Sequence, residues 1–232
     1  MASTSQMLRT DVYHRLKVRL LAGELRSGQF VSQRELTSLL GATLNPVREA
    51  IRRLEAEGLI NIYAQRGIQV IEARPKTIND SYEYRLLLEL NAIRHFATSA
   101  SRGHMAKVRQ NVEKSLATLA RSPDSRAVRL KVLDDDYTFH KDLIDFQGNE
   151  IISKHYSLNA ARVRLFRINI GEPLQRLEVA AKEHLGILDA CLDRDVELAV
   201  TLLAKHIEIS REHTLGIRPV RWSATSAAST VP

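Results

Sequence analysis

One cysteine, Cys191, stands in 232 residues, so the chain cannot form an internal disulfide, and the expectation is a reducing cytosol. No stretch approaches the roughly 18 uncharged apolar residues that a membrane helix requires. The N-terminal MASTSQMLRTDVYHR has no apolar core, which argues against a secretory signal. Breakers are sparse too, with ten glycines and six prolines. Hydrophobic residues nevertheless reach 44%, enough for folded cores. This composition excludes a collagen-like fibre, a disulfide scaffold and disorder throughout. The expected location is cytoplasmic, with no membrane partner.

What is abundant is positive charge. Lys and Arg number 34 against 27 acidic residues, a net charge of +7. Residues 1–73 carry +3 of this and residues 74–232 carry +4. The excess is compatible with a polyanionic partner but does not locate its surface. Only motifs can do that.

The grammar changes once along the chain. Up to Glu72 the segments are short and broken by Gly23, Gly28, Gly41, Gly58 and Gly67. From Asn79 to about His213 long helical periods dominate. Pro75, in Ala73-Arg74-Pro75-Lys76, reads as a stop, which predicts a linker over 74–78. A small, polar tail over 216–232 reads as disordered.

In the first segment (1–73), Val12, Leu16, Leu20 and Leu21 recur at helical spacing. Ser32-Gln33-Arg34-Glu35 is a capping box opening a short helix that ends before Gly41. A second helix begins around Thr43 to Asn45 and runs to Glu57, with Pro46 in its first turn. Two short helices around a glycine turn predict a helix-turn-helix. Leu59 to Tyr63 and Ile68 to Ile71, joined through Arg66-Gly67, predict a two-stranded wing. The second helix of such a motif presents its N-terminal face to base edges. Here that face carries Thr43, Asn45, Arg48 and, one turn on, Arg52, with Arg34 on the preceding helix within reach. Arg66 and Gly67 at the wing tip suit a phosphate or the minor groove.

The second segment (79–215) reads as an all-helical bundle of about six helices, near 79–101, 104–121, 125–146, 149–170, 173–193 and 195–214. The predicted class is thus mainly α, a winged helix-turn-helix followed by a bundle. Within the bundle, Asp136 and His140 sit at i and i+4 in register with Leu133 and Leu143. His184 shares the stripe of Ala180, Ile187, Leu188 and Cys191, and His206 that of Ala199, Leu202 and Ile209. Singly, each is an ordinary core residue. Together, one carboxylate and three imidazoles form a ligand set for a divalent transition metal, zinc first, with nickel or manganese as alternatives. His14, His95, His104, His155 and His213 are read as ordinary surface or core residues.

Leu25-Arg26-Ser27-Gly28, Arg34-Glu35-Leu36, Asn45-Pro46-Val47-Arg48-Glu49-Ala50, Arg53 through Leu59 and Arg66-Gly67, in this order, resemble the winged helix of GntR-type bacterial regulators. The resemblance implies that Arg34, Thr43, Asn45, Arg48 and Gly67 contact operator DNA. One departure is Leu44, where the family usually has an arginine, so the operator is expected to differ, with leucine against a thymine methyl. Asp136-x-x-Phe139-His140, Gly148-Asn149, Glu183-His184, Asp195-x-x-x-Ala199 and His206 are similar to the FCD effector domain of FadR-type members. There the same four positions commonly bind a divalent ion. Arg85 and Glu89 match that domain's first helix, where the arginine commonly faces the effector cavity. Arg85 is therefore expected either to hold an effector carboxylate or to pair with Glu89 one turn on. Asn159, Arg162 and Arg164 are further candidates for the cavity wall.

These readings imply a homodimeric transcriptional regulator on a pseudo-palindromic site, a repressor responding to a small organic acid bound beside the metal. A regulator answering to the metal alone is the alternative, and a metal-dependent hydrolase a more distant one. No HExxH occurs and no general base is evident, so no enzymatic role is expected.

Overall fold

The computed structural model describes residues 2–217 except Asp124, without the side chains of residues 2–9. From residue 218 onward the expected tail lies outside the described residues. Among these residues the chain forms nine helices and one small sheet. No helix of this set is long and apolar enough to cross a membrane.

The N-terminal unit opens with α1 (Ala2–Leu21), which buries Val12, Leu16 and Leu20. A two-residue strand, β1 (Phe30–Val31), precedes α2 (Gln33–Leu40). The capping box is formed as expected: Ser32 Oγ accepts from the Glu35 amide, and the Glu35 carboxylate accepts from the Ser32 amide at 2.7 Å. Helix α3 (Leu44–Ala56) follows with Thr43 as its N-cap residue, burying Val47, Ala50, Ile51 and Leu54. Strands β2 (Ile60–Tyr63) and β3 (Gly67–Val70) form the wing. The sheet has three strands in the order β1-β3-β2, all antiparallel, with Ile62 opposite Ile68 and Val31 opposite Ile68 on the other side. The third strand was not foreseen, because two residues are too short to show an alternation.

Pro75 does not end regular structure. It occupies the first turn of α4 (Pro75–Ser99), where a missing N–H leaves no intrahelical bond unmade. The predicted linker of 74–78 is corrected to the irregular stretch 71–74. The bundle continues with α5 (Arg102–Arg121), α6 (Arg126–Asp145), α7 (Glu150–Asn169), α8 (Leu174–Leu192) and α9 (Val196–Thr214). Ser101, Ser125, Asn149 and Asp195 cap α5, α6, α7 and α9 through their side chains. The main apolar core, built on Phe96, Phe139, Tyr156, Phe166, Ile187 and Leu203, holds the bundle together, and a smaller cluster joins Leu119, Val132, Leu133 and Leu177.

Helix α7 belongs to both units. Its Ala160, Val163 and Phe166 enter the bundle core. Ala161 and Leu165 instead join the core of the winged unit. Polar contacts reinforce the seam: Arg162 donates to the Glu57 carbonyl, Arg164 to the Leu21 carbonyl, and Asn169 Oδ1 accepts from the Ser27 amide. Arg162 thus serves the junction rather than a cavity, and Asn159 donates to the Ser81 carbonyl at 2.9 Å. Arg164 also pairs with Asp134 and does line a small void beside Asp136.

Candidate metal centre and nucleic-acid interface

Asp136 and His140 come from α6, His184 from α8 and His206 from α9. The structure brings one ligand atom of each within 4.8 Å of all the others. His184 Nε2 lies 3.2 Å from His206 Nε2, which lies 3.3 Å from His140 Nε2. Asp136 Oδ1 is 3.8 Å from His184 Nε2. The three imidazoles are buried, and the Asp136 side chain is 9% exposed.

Carboxylates stand behind two of the rings. Glu183 Oε2 lies 2.7 Å from His206 Nδ1, and Glu89 Oε2 lies 2.7 Å from His140 Nδ1. Glu183 is hydrogen-bonded to His206 Nδ1, which leaves that ring's Nε2 lone pair directed at the centre, the arrangement that orients metal-binding histidines, while Glu89 stands against Nδ1 of His140 without forming a hydrogen bond to it. Two lone pairs facing each other at 3.3 Å repel unless a cation or proton lies between them. Burial, with the neighbouring imidazoles, pushes His184 well below its usual range. Burial also lowers His206, to about 4, although Glu183 opposes it. Both rings are therefore neutral near pH 7, the form that ligates. Burial raises Asp136, but the Arg167 guanidinium beside it outweighs this and keeps it ionised. Its Oδ1 is buried without a hydrogen-bond partner. Three converging Nε2 lone pairs and an orphaned carboxylate oxygen fit a divalent cation.

Several participants were not anticipated. Arg167 grips Asp136 Oδ2 at 2.5 Å and Glu172 at 2.6 Å. Arg176 pairs with Glu183 at 2.9 Å. Glu183 directly precedes His184 and so points to another face, and only the approach of α9 makes it the partner of His206. Phe139 stacks on the His184 ring with centroids 4.0 Å apart.

Of the two expectations for Arg85, the pair with Glu89 is formed: Nε donates to Oε1 at 2.7 Å, and both residues are buried. Tyr156 donates to the same oxygen. Arg85 Nη2 has no hydrogen-bond partner, and the side chain lines the small void shared with Asp136 and His140. Arg85 thus reaches the centre through Glu89 and His140.

In the winged unit, Arg34, Thr43, Asn45, Arg48 and Arg52 are exposed around the start of α3, as is Arg66 on the wing. Leu44 is 40% exposed beside them. Arg48 is tethered by Nε to Gln33 Oε1 at 3.0 Å, which joins α3 to α2. Gly67 has a structural reason of its own. With φ at +91°, a Cβ there would stand 2.4 Å from the Val31 carbonyl oxygen, so the strand pair β1–β3 closes only on glycine.

Comparison with known proteins agrees with this architecture. Residues 8–70 match the family described as bacterial regulatory proteins of the gntR family, and residues 80–209 match the FCD domain. Among curated relatives, the Nta operon transcriptional regulator of Aminobacter aminovorans is 28% identical over 185 residues, covering 79% of this chain and 83% of that protein. The HTH-type transcriptional repressor RspR of Escherichia coli K12 is 24% identical, covering 92% and 88%. A solved GntR regulator from Rhodococcus sp. RHA1 shares the fold, with a TM-score of 0.76 at 20% identity over 91% of this chain and 99% of that one. The chain belongs to the GntR family of transcriptional regulators, among those that carry an FCD effector domain.

Proposed function

We propose that this regulator is a homodimeric repressor whose operator affinity is set by a small organic acid bound beside a divalent metal. The observation that carries the metal reading is the convergence of Asp136 Oδ1 and three Nε2 atoms within 4.8 Å, with Glu89 and Glu183 behind two of the rings. Zinc is the first candidate, since a nitrogen-rich set with one carboxylate suits it, with nickel or manganese next. A carboxylate of the effector completes the coordination, and the unpartnered Nη2 of Arg85 is left to meet one of its oxygens.

Arg34, Thr43, Asn45, Arg48 and Arg52 read the major groove of a pseudo-palindromic site, while Arg66 and Gly67 approach a phosphate or the minor groove. A dimer supplies the second half-site, because one winged helix contacts too few base pairs for an affinity near 10⁻⁸ M. The repressor assignment draws support from the repressor name of the E. coli relative.

The test is elemental analysis of the purified chain beside a His184→Ala variant, with operator binding measured with and without metal. Stoichiometric metal in the wild type and its loss in the variant support the reading. Equal metal content in both would reduce His184 to a core residue.

A further inference from the structure

The polar contacts between the bundle and the winged unit fall on helix ends. Arg162 Nη2 donates to the carbonyl of Glu57, the C-cap residue of α3, at 3.3 Å. Arg164 Nε donates to the carbonyl of Leu21, the last residue of α1, at 3.2 Å. Arg126, at the start of α6, donates to the next carbonyl, that of Ala22, at 2.8 Å. The last carbonyls of a helix lack intrahelical partners and carry the negative end of its dipole, so cations are drawn to them. All three cations come from the bundle, and all three acceptors from the winged unit.

The approach is close. A Cβ on Gly58 would stand 2.0 Å from Arg162 Nη2, and one on Gly23 would stand 2.4 Å from Ile168 Cγ2. The Glu57 carboxylate is engaged by Tyr13 and Lys17, which leaves Arg162 to the helix end. Arg164 is held from its other side by Asp134 of α6. Helices α1 and α3 pack on each other, so holding the ends of both fixes the winged unit at two points. A single point would let it swivel.

We propose that Arg162 and Arg164 are positioning residues for operator recognition. By holding the C-terminal ends of α3 and α1 they set the angle of the recognition helix on the bundle. In a dimer that angle sets which spacing of half-sites both recognition helices reach at once. The inference rests on the dimeric reading above. Glu57 lies at the opposite end of α3 from the exposed face at Thr43, Asn45 and Arg48, about 18 Å away by helical rise. The two arginines thus act through the placement of α3 and not on the bases. Adding two base pairs between half-sites moves one of them by about 7 Å and turns it by about 70° around the duplex. A rigid seam does not follow such a change, and the gain from engaging both half-sites is lost. A loosened seam follows it.

The experiment uses the full chain. Wild type first enriches its site from a random-sequence DNA library, and that site is remade with two base pairs inserted or removed between the half-sites. Two double variants are compared: Arg162→Gln with Arg164→Gln, and Arg162→Lys with Arg164→Lys as the conservative rescue. Wild type is expected to lose about tenfold or more in affinity on either altered spacing. The glutamine pair should bind all three spacings within about threefold, and the lysine pair should restore the preference. The dependence of affinity on salt should be unchanged in both. A preference as sharp in the glutamine pair as in wild type would overturn the proposal. So would a salt slope reduced by about one per arginine, since both residues would then be phosphate contacts.

A second measurement needs no dimer. Ser38 on α2 and Ala117 on α5 are exposed, and Cys191 is buried. Ser38→Cys with Ala117→Cys, spin-labelled and diluted into unlabelled chain, reports the distance between winged unit and bundle. Wild type and the lysine pair should give one narrow distribution and the glutamine pair a broad one. Equal widths in all three would overturn the positioning role. Enrichment of a single half-site by wild type would instead strike the dimeric reading, and the label distances would then decide the role of the arginines by themselves.

Discussion

At the scale of single residues, glycine and histidine positions carry the sharpest consequences. Gly67 combines a left-handed backbone with a carbonyl where a Cβ would go, so Gly67→Ala meets both strain and clash. The expected cost is about 2 kcal/mol or more, seen as a lowered melting temperature and faster amide exchange in β1 and β3. Removing the carboxylate behind a ring should act on the metal rather than on the fold. Glu183→Gln takes away the charge that orients His206 and is expected to weaken metal binding by about 10- to 100-fold. A competition titration against a chelator reads this directly, and unchanged affinity would show that Glu183 only packs. The same rings set a pH dependence. His206 titrates near 4 in the fold but near 6.5 when unfolded, so below 6.5 the unfolded chain takes up the proton first. Stability of the metal-free protein should therefore fall as pH drops from about 6.5 toward 4. Metal should leave over the acidic range as well, because protons compete for Nε2. A melting temperature that is flat between pH 7 and 4.5 would contradict this.

At the scale of elements, α3 and α7 have separable jobs. The exposed N-terminal face of α3 contributes little to folding, since its buried face is Val47, Ala50, Ile51 and Leu54. Arg48→Ala should leave melting nearly unchanged yet weaken specific operator binding by about 1–3 kcal/mol, measured at fixed salt against non-specific DNA. The opposite pattern is expected for α7. Leu165 is fully buried in the core of the winged unit although its helix belongs to the bundle. Leu165→Ala should cost about 2–5 kcal/mol through the cavity it leaves. It should also loosen the seam that Arg162 and Arg164 bridge to Glu57 and Leu21. Limited proteolysis within 71–74 would then accelerate relative to wild type.

For the whole molecule, the candidate metal draws on three helices that are distant in sequence, α6, α8 and α9. An ion held by Asp136, His140, His184 and His206 ties them together, and ligand linkage makes the native state more stable by about 4 kcal/mol at a thousandfold excess over Kd. Zinc should thus raise the melting temperature and a chelator lower it. An effector alters DNA binding only if it favours one arrangement of the helices over another. Helix α7 is placed to report that arrangement: Arg167 holds Asp136 at its C-terminal end, and Ala161 and Leu165 sit in the winged unit's core.

Much of this was legible in one dimension, because it depends on local spacing. The capping box at Ser32, the glycine turn at Gly41, the wing around Arg66-Gly67 and six helical periods are short-range patterns, and sterics and hydrogen bonding turn them into elements without reference to the rest of the chain. Asp136, His140, His184 and His206 stood out for a similar reason, as polar residues on stripes that should be apolar. Pro75 misled because the same residue that breaks a helix interior also begins a helix, and only the packing of α4 against α9 and α7 decides between the two. The partners behind the rings were equally hidden. Glu183 lies on a different face from its neighbour His184, and Glu89 read only as the intrahelical partner of Arg85. The sequence by itself determined which residues could ligate, cap and turn. The tertiary structure alone decided that Glu183 meets His206, that Glu89 stands behind His140, and that α7 serves two cores. Those relations join residues far apart in the chain, Glu183 with His206 23 positions on, Glu89 with His140, and Leu165 with the winged core, where proximity is set by how helices pack and not by any period along the chain.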